Sequence, residues 1–158
     1  MAKILEAGDK APKFAIPNQD GNMIKLDDLL GKWSVIYFYP RDDTPGCTVE
    51  AREFTDLKKD FDNNNASILG VSPDSEKKHC KFIDKHKLEI ELLADESSTM
   101  LSDYGVWQEK SMYGKTYMGV VRTTYLINPD GSIAEAWTKV KAKGLAEIVL
   151  ERLKEIKE

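Results

Sequence analysis

The chain has 158 residues, 41% of them hydrophobic and 32% charged, with 23 basic and 27 acidic side chains and a formal net charge of −4. This profile suits one globular domain with its own core, and a mildly acidic chain without a basic run excludes an electrostatic footprint for nucleic acid or an anionic membrane. Its densest apolar run, Val35 to Tyr39, is too short for a bilayer, the opening MAKILEAGDK lacks a leader-length hydrophobic stretch, and two cysteines exclude a disulfide scaffold and fit a reducing cytoplasm.

Short apolar-bearing runs at Phe14 to Asn18 and Met23 to Leu26 flank Gln19-Asp20-Gly21-Asn22, and Asp-Gly between such runs predicts a hairpin. Trp33 to Tyr39 is almost continuously apolar and aromatic, the pattern of a strand buried on both faces. Pro40 stops it, and Arg41 to Gly46 reads as a polar turn. From Cys47 the pattern becomes helical, with Val49, Phe54, Leu57 and Phe61 recurring up to the breaker run Asn63-Asn64-Asn65. Ser67 to Val71 reads as a second buried strand. Ser72-Pro73-Asp74 opens a helix that runs to about His86, with the proline near its first turn.

Leu92 to Ala94 is a short third strand, and Ser97 to Tyr104 a short helix ended by Gly105. Thr123 to Asn128 and Ser132 to Trp137, joined by Pro129-Asp130-Gly131, make a second hairpin. Lys143 to Lys157 closes the chain as an amphipathic helix with Leu145, Ile148, Val149, Leu153 and Ile156 on one stripe. There is no repeat, low-complexity tract or linker, so a single domain over 1–158 is expected. Strand followed by helix, twice, then a hairpin and a helix, predicts an α/β fold with a mixed sheet covered on both faces. Ligand chemistry in such sheets sits at the carboxyl end of a central strand beside a helix N-terminus, which here is Pro40 to Cys47.

Three effects then converge on the Cys47 sulfur. A helix N-terminus supplies unpaired N–H groups and partial positive charge, which favour thiolate. Thr44 is placed to hydrogen-bond the sulfur or an incoming oxygen, and Pro40 and Pro45 restrict the loop that carries it. The plainer reading is a buried structural cysteine, since free cysteine is among the most buried residue types. Polar loop residues directly before Cys47 argue against an apolar burial site.

Pro40-Arg41-Asp42-Asp43-Thr44-Pro45-Gly46-Cys47 resembles Pro-x-x-x-Thr-x-x-Cys, the active-site motif of the peroxiredoxins. The continuation Cys47-Thr48-Val49-Glu50 and the preceding Tyr37-Phe38-Tyr39 are similar to the bacterioferritin comigratory protein (peroxiredoxin Q) subfamily. So are Gly8 to Phe14, Gly105-Val106-Trp107, Tyr113 to Tyr117 and Asn128 to Gly131, so the resemblance spans nearly the whole chain. It implies a thioredoxin-like fold, a central mixed sheet with flanking helices and an N-terminal β-hairpin extension, acting as a monomer. The activity implied is thiol-dependent reduction of hydrogen peroxide and organic hydroperoxides in antioxidant defence, without a metal or organic cofactor.

By the same resemblance Cys47 is the peroxidatic nucleophile, Thr44 holds the attacked oxygen and the sulfur, and Pro40 shields the sulfur from water. Arg122 falls at the family's arginine. A permanently charged guanidinium there stabilises both the thiolate and the charge that develops as the O–O bond breaks. A surface arginine at a strand start is the alternative. Glu50, one turn into the helix, either orients Arg122 or is a solvated carboxylate.

The resulting sulfenic acid must be reduced. Many subfamily members carry a resolving cysteine five residues after the first, where this chain has Arg52. Cys80 is the only other thiol, at the edge of a helical stripe made by His79, Phe82, Ile83 and His86. It either resolves Cys47 after local unwinding, with thioredoxin or another thiol reductant recycling the disulfide, or is a bystander in a one-cysteine enzyme served by an external thiol. His79, Cys80 and His86 diverge around the helix and lack a fourth ligand, which argues against a metal site. Trp107, Trp137 and the six tyrosines read as core and hairpin packing, and Lys139, Lys141 and Lys143 as a solvated face. A disulfide reductase would need a CxxC, absent around Cys47, and no exposed aromatic stripe supports a holdase or binding module.

Overall fold

The computed structural model describes residues 3–157; Met1 and Ala2, which begin the segment expected to carry no leader, and Glu158 lie outside them. β1 (Ala15–Pro17) and β2 (Met23–Lys25) form the expected antiparallel hairpin. Asn18 organises its turn, its side-chain oxygen accepting from the backbone N–H of Asp20 and of Asn22. β3 (Trp33–Phe38) follows, then α1 (Pro45–Asp56), α2 (Lys58–Asn63), β4 (Ala66–Ser72), α3 (Glu76–His86) and β5 (Glu91–Ala94). The chain continues through α4 (Thr99–Asp103), β6 (Trp107–Met112), β7 (Lys115–Val120), β8 (Thr123–Ile127), β9 (Ile133–Thr138) and α5 (Leu145–Lys157).

Five strands lie in the order β5-β4-β3-β8-β9, with β3 in the middle, parallel to β4 and antiparallel to β8. Alternation along β3 explains its unbroken apolar sequence. Val35 and Tyr37 join one core with residues of α1, α3 and α5, while Ile36 and Phe38 join a second with α4 and the N-terminal hairpin. Both faces are therefore covered, as the element pattern implies. Among the described residues no helix is long and apolar enough to cross a membrane.

Several boundaries differ from the sequence reading. α1 begins at Pro45 rather than Cys47, because Pro45 has no N–H to lose and suits the first helical position after Thr44. The helical run breaks at Leu57 into α1 and α2, and Val49 is exposed, its place on the buried side taken by Cys47, Glu50 and Ala51. α3 starts at Glu76, three residues past Pro73, where the Ser75 side chain caps the Lys78 N–H. On α5 the buried stripe includes Ala146 and Leu150, and Ile148 is exposed.

Two turns show why glycine was needed. Gly105 ends α4 with φ +76, and a Cβ there would sit 1.8 Å from the Lys3 carbonyl oxygen. Tyr113 and Gly114 both have positive φ and close the β6–β7 hairpin, which the sequence reading left without strands because its residues are largely polar. This hairpin exposes Tyr113 and Tyr117, so not all six tyrosines are packing residues.

Candidate active site

β3 runs antiparallel to β8 with Phe38 opposite Thr123. That register brings the loop after β3 and the residue before β8, Arg122, to the same end of the sheet. The Arg122 carbonyl accepts from the Lys139 N–H at 2.9 Å, which fixes the backbone from which its side chain extends. Across from it, α1 presents Cys47 as its third residue. No acidic side chain occupies the first turn of α1, so its positive end is not neutralised there.

The Arg122 side chain joins two groups of α1. Its Nη2 lies 3.2 Å from Cys47 Sγ, and its Nη1 donates to Glu50 Oε1 at 2.5 Å. Cys47 and Glu50 are three residues apart, so one guanidinium fork spans one helical turn. Glu50 is wholly buried, and its Oε2 has no hydrogen-bond partner among the described residues. Burial pushes its carboxyl up to about 7, with the Arg122 charge opposing that rise. For Arg122, burial works against the charge, but Glu50 and Cys47 outweigh it and hold the guanidinium above its ordinary value. Glu50 is thus the arginine's anchor and not a solvated carboxylate.

Cys47 departs from expectation in one respect. It is 1% exposed and packs in the core cluster that contains Tyr37, Ala51 and Phe54. The reason is the earlier helix start: as the third helical residue it turns inward onto the sheet, and the polar residues before it stay outside. Burial does not make the site apolar, because the half-buried Arg122 guanidinium lies against the sulfur. Thr44 also differs. Its hydroxyl donates to the Arg41 carbonyl at 3.0 Å rather than to the sulfur. Pro40 is half-buried at the end of the strand.

Cys80 is placed elsewhere. Half-buried in the middle of α3, it donates its S–H to the Gln19 carbonyl at 3.0 Å, and both cysteines are free thiols. His79 is buried, facing Asp42 and the Leu93 carbonyl, and His86 faces Asp43. Among the described residues no group of three or more His, Cys, Asp or Glu is arranged to hold a metal ion.

Two residues that the sequence reading did not single out shape the site. Gly46 lies against Arg122, where a Cβ would stand 3.3 Å from Nη2, and its signal was a glycine in the first turn of a helix. Lys110 on β6 has its stem across Gly119, and partial burial and then the Arg122 charge lower its ammonium below its usual value. No local pattern marked Lys110, since strand pairing in β6–β7 positions it.

The AhpC/TSA family pattern matches residues 7–136. Peroxiredoxin Bcp of Bacillus subtilis is 44% identical over 154 residues, covering 98% of both chains. A mutant of Xanthomonas campestris peroxiredoxin Q superimposes with a TM-score of 0.90 at 39% identity, over 96% of this chain and 99% of that one. The bacterioferritin comigratory protein of Xanthomonas campestris, solved in a study of its alkyl peroxide reduction activity, gives a TM-score of 0.90 at 37% identity over 100% of both chains.

Proposed function

This chain belongs to the AhpC/TSA family and is a peroxiredoxin, and from that premise we propose that it reduces hydrogen peroxide and organic hydroperoxides at Cys47. The observation that carries this reading is the Arg122 fork, 3.2 Å from the sulfur on one branch and bonded to buried Glu50 on the other. The Cys47 thiolate attacks one peroxide oxygen, forming an S–O bond as the O–O bond breaks. The second oxygen takes a proton and leaves as water or alcohol. The sulfur loses two electrons to the peroxide and becomes a sulfenic acid.

Arg122 supports both ends of this step. It balances the attacking thiolate, and as the O–O bond lengthens it balances the departing oxygen, in a buried place where such charge matters more than in water. Thr44 and Pro40 complete the site in this reading. The threonine turns its hydroxyl from the Arg41 carbonyl to the attacked oxygen, and the proline limits water at the sulfur. An organic hydroperoxide among the substrates agrees with the activity named for the Xanthomonas campestris protein.

The second step belongs to Cys80, which attacks the sulfenic acid, and thioredoxin or another dithiol then reduces the disulfide in the cytoplasm. Intact mass after one equivalent of hydrogen peroxide tests both steps. Wild type should lose two hydrogens, and Cys80→Ser should gain one oxygen. Cys47→Ser should consume no peroxide with thioredoxin or with dithiothreitol. Retained activity in Cys47→Ser would remove the assigned nucleophile, and an oxygen gain in wild type would move resolution to an external thiol.

A further inference from the structure

The loop before Cys47 and the helix that carries Cys80 are joined by charged side chains as well as by the packing of Tyr39 against Phe82. Asp42 is buried in this seam. Its Oδ1 accepts from the Tyr39 hydroxyl at 2.6 Å, and its Oδ2 lies 2.6 Å from His79 Nδ1. The other ring nitrogen of His79, which is 0% exposed, lies 2.9 Å from the Leu93 carbonyl oxygen. The backbone N–H of Asp42 donates to Asp74 Oδ2 at 2.8 Å, just ahead of α3. Asp43, held at φ 61, reaches Lys85 Nζ at 2.7 Å and His86 Nε2 at 2.8 Å. Beside these contacts a cleft of about 330 Å³ separates loop from helix, flanked by Arg41, Lys78, Lys81 and Lys85.

Cys80 is held away from this seam. Its S–H bond to Gln19 ties it to the turn of the β1–β2 hairpin. Partial burial first, then the carboxylates of Asp20, Asp84 and Glu76, push its thiol up, which makes it a poor nucleophile where it sits. To reach a sulfur buried under Arg122 it must leave Gln19, and α3 must part from the loop.

We propose that Asp42 and His79 are a positioning pair that acts as a brake on resolution, holding α3 closed against the peroxidatic loop. The brake rests on the reading that Cys80 resolves Cys47. In that step the Cys80 sulfur bonds to the Cys47 sulfur, the S–O bond of the sulfenic acid breaks, and its hydroxyl leaves as water with the Cys80 proton. The pair touches none of these atoms. It sets how often α3 lets go, while the closed form it favours is the one that keeps Arg122, Glu50 and Cys47 assembled for the peroxide step.

Asp42→Asn removes the charge facing His79 while preserving size and the contact with Tyr39. Losing one charge-assisted hydrogen bond should speed native-state amide exchange in 76–86 about tenfold relative to α5. Disulfide formation after one equivalent of peroxide should accelerate by about the same factor, while the rate of sulfenic acid formation stays within about twofold. Lys85→Ala, which removes an exposed contact to Asp43 and does not threaten the fold, should move both readouts the same way by less. Unchanged exchange in α3, or disulfide formation that is unchanged or slower in Asp42→Asn, would overturn the brake. A wild type that forms no internal disulfide, with exchange still responding to Asp42→Asn, would refute resolution by Cys80 and reduce the pair to a structural tie.

Discussion

Cys47 and Cys80 both lie on helices that cover the same face of one sheet, yet the charges beside them differ in sign. Cys47 is buried beside a guanidinium, in the first turn of a helix with no acidic side chain to cancel its positive end. Cys80 lies mid-helix, with three carboxylates nearby and its proton committed to the Gln19 carbonyl. At Cys80, burial and these carboxylates together favour the thiol. What separates the two positions is the sign of the charge buried or gathered around each sulfur. In the proposed reading the first sulfur is the nucleophile, and the second becomes useful only when its helix opens.

Arg122→Ala should weaken that contrast most. Removing the cation leaves the Cys47 sulfur in the apolar company of Tyr37, Ala51 and Phe54, and the stopped-flow rate of peroxide oxidation should fall roughly 10²–10³-fold. The fold should survive, because Glu50, already pushed up to about 7 by burial, takes a proton when its partner is gone. An oxidation rate near wild type would mean that the helix N-terminus alone arms the sulfur.

A second way to sharpen the contrast is through Glu50, whose burial has a pH signature. Its folded value is about 7 against an ordinary 4.5, so the folded state keeps a proton that the unfolded state has released across that interval. Its contribution to stability is present below the ordinary value and is lost as pH rises towards 7. Glu50→Gln cannot release this proton. Urea midpoints at pH 5 and pH 8 should show the variant losing less stability than wild type, by roughly 3 kcal/mol at most. Equal losses would place the Glu50 carboxylate in a far better solvated site than the one described.

Much of this was legible in the chain, and what was not has physical causes. β3, β4 and the β8–β9 hairpin stood out because strands buried on both faces, and turns built on Pro-Asp-Gly, leave local marks. Their order pointed to a mixed sheet covered on both faces, and the thioredoxin-like fold came with the family resemblance. Cys47 and Arg122 were identified through a motif and its flanks, but their approach to 3.2 Å depends on the β3–β8 register. The β6–β7 hairpin was missed because it lies outside the main sheet and exposes most of its side chains, so no hydrophobic alternation announced it. Asp42 and His79 were invisible as a pair, since a loop and a helix 37 positions apart carry no shared pattern.

Gly46 gives the finest probe of how the Arg122 fork is fitted. A residue in the first turn of a helix gains stability from Ala over Gly in most settings, by about 0.5–1 kcal/mol. Here the added Cβ would stand 3.3 Å from Arg122 Nη2, the nitrogen that faces the sulfur, and the guanidinium must give by a few tenths of an ångström. It cannot give freely, because its other branch is bonded to buried Glu50 at 2.5 Å. Gly46→Ala should therefore leave thermal stability unchanged or slightly higher while slowing the peroxide step about tenfold, since fixed charge works only at its designed distance. The two readouts moving in opposite directions is the informative result. A stabilised variant with an unimpaired oxidation rate would show that the arginine fork has slack, and that its charge rather than its exact placement arms Cys47.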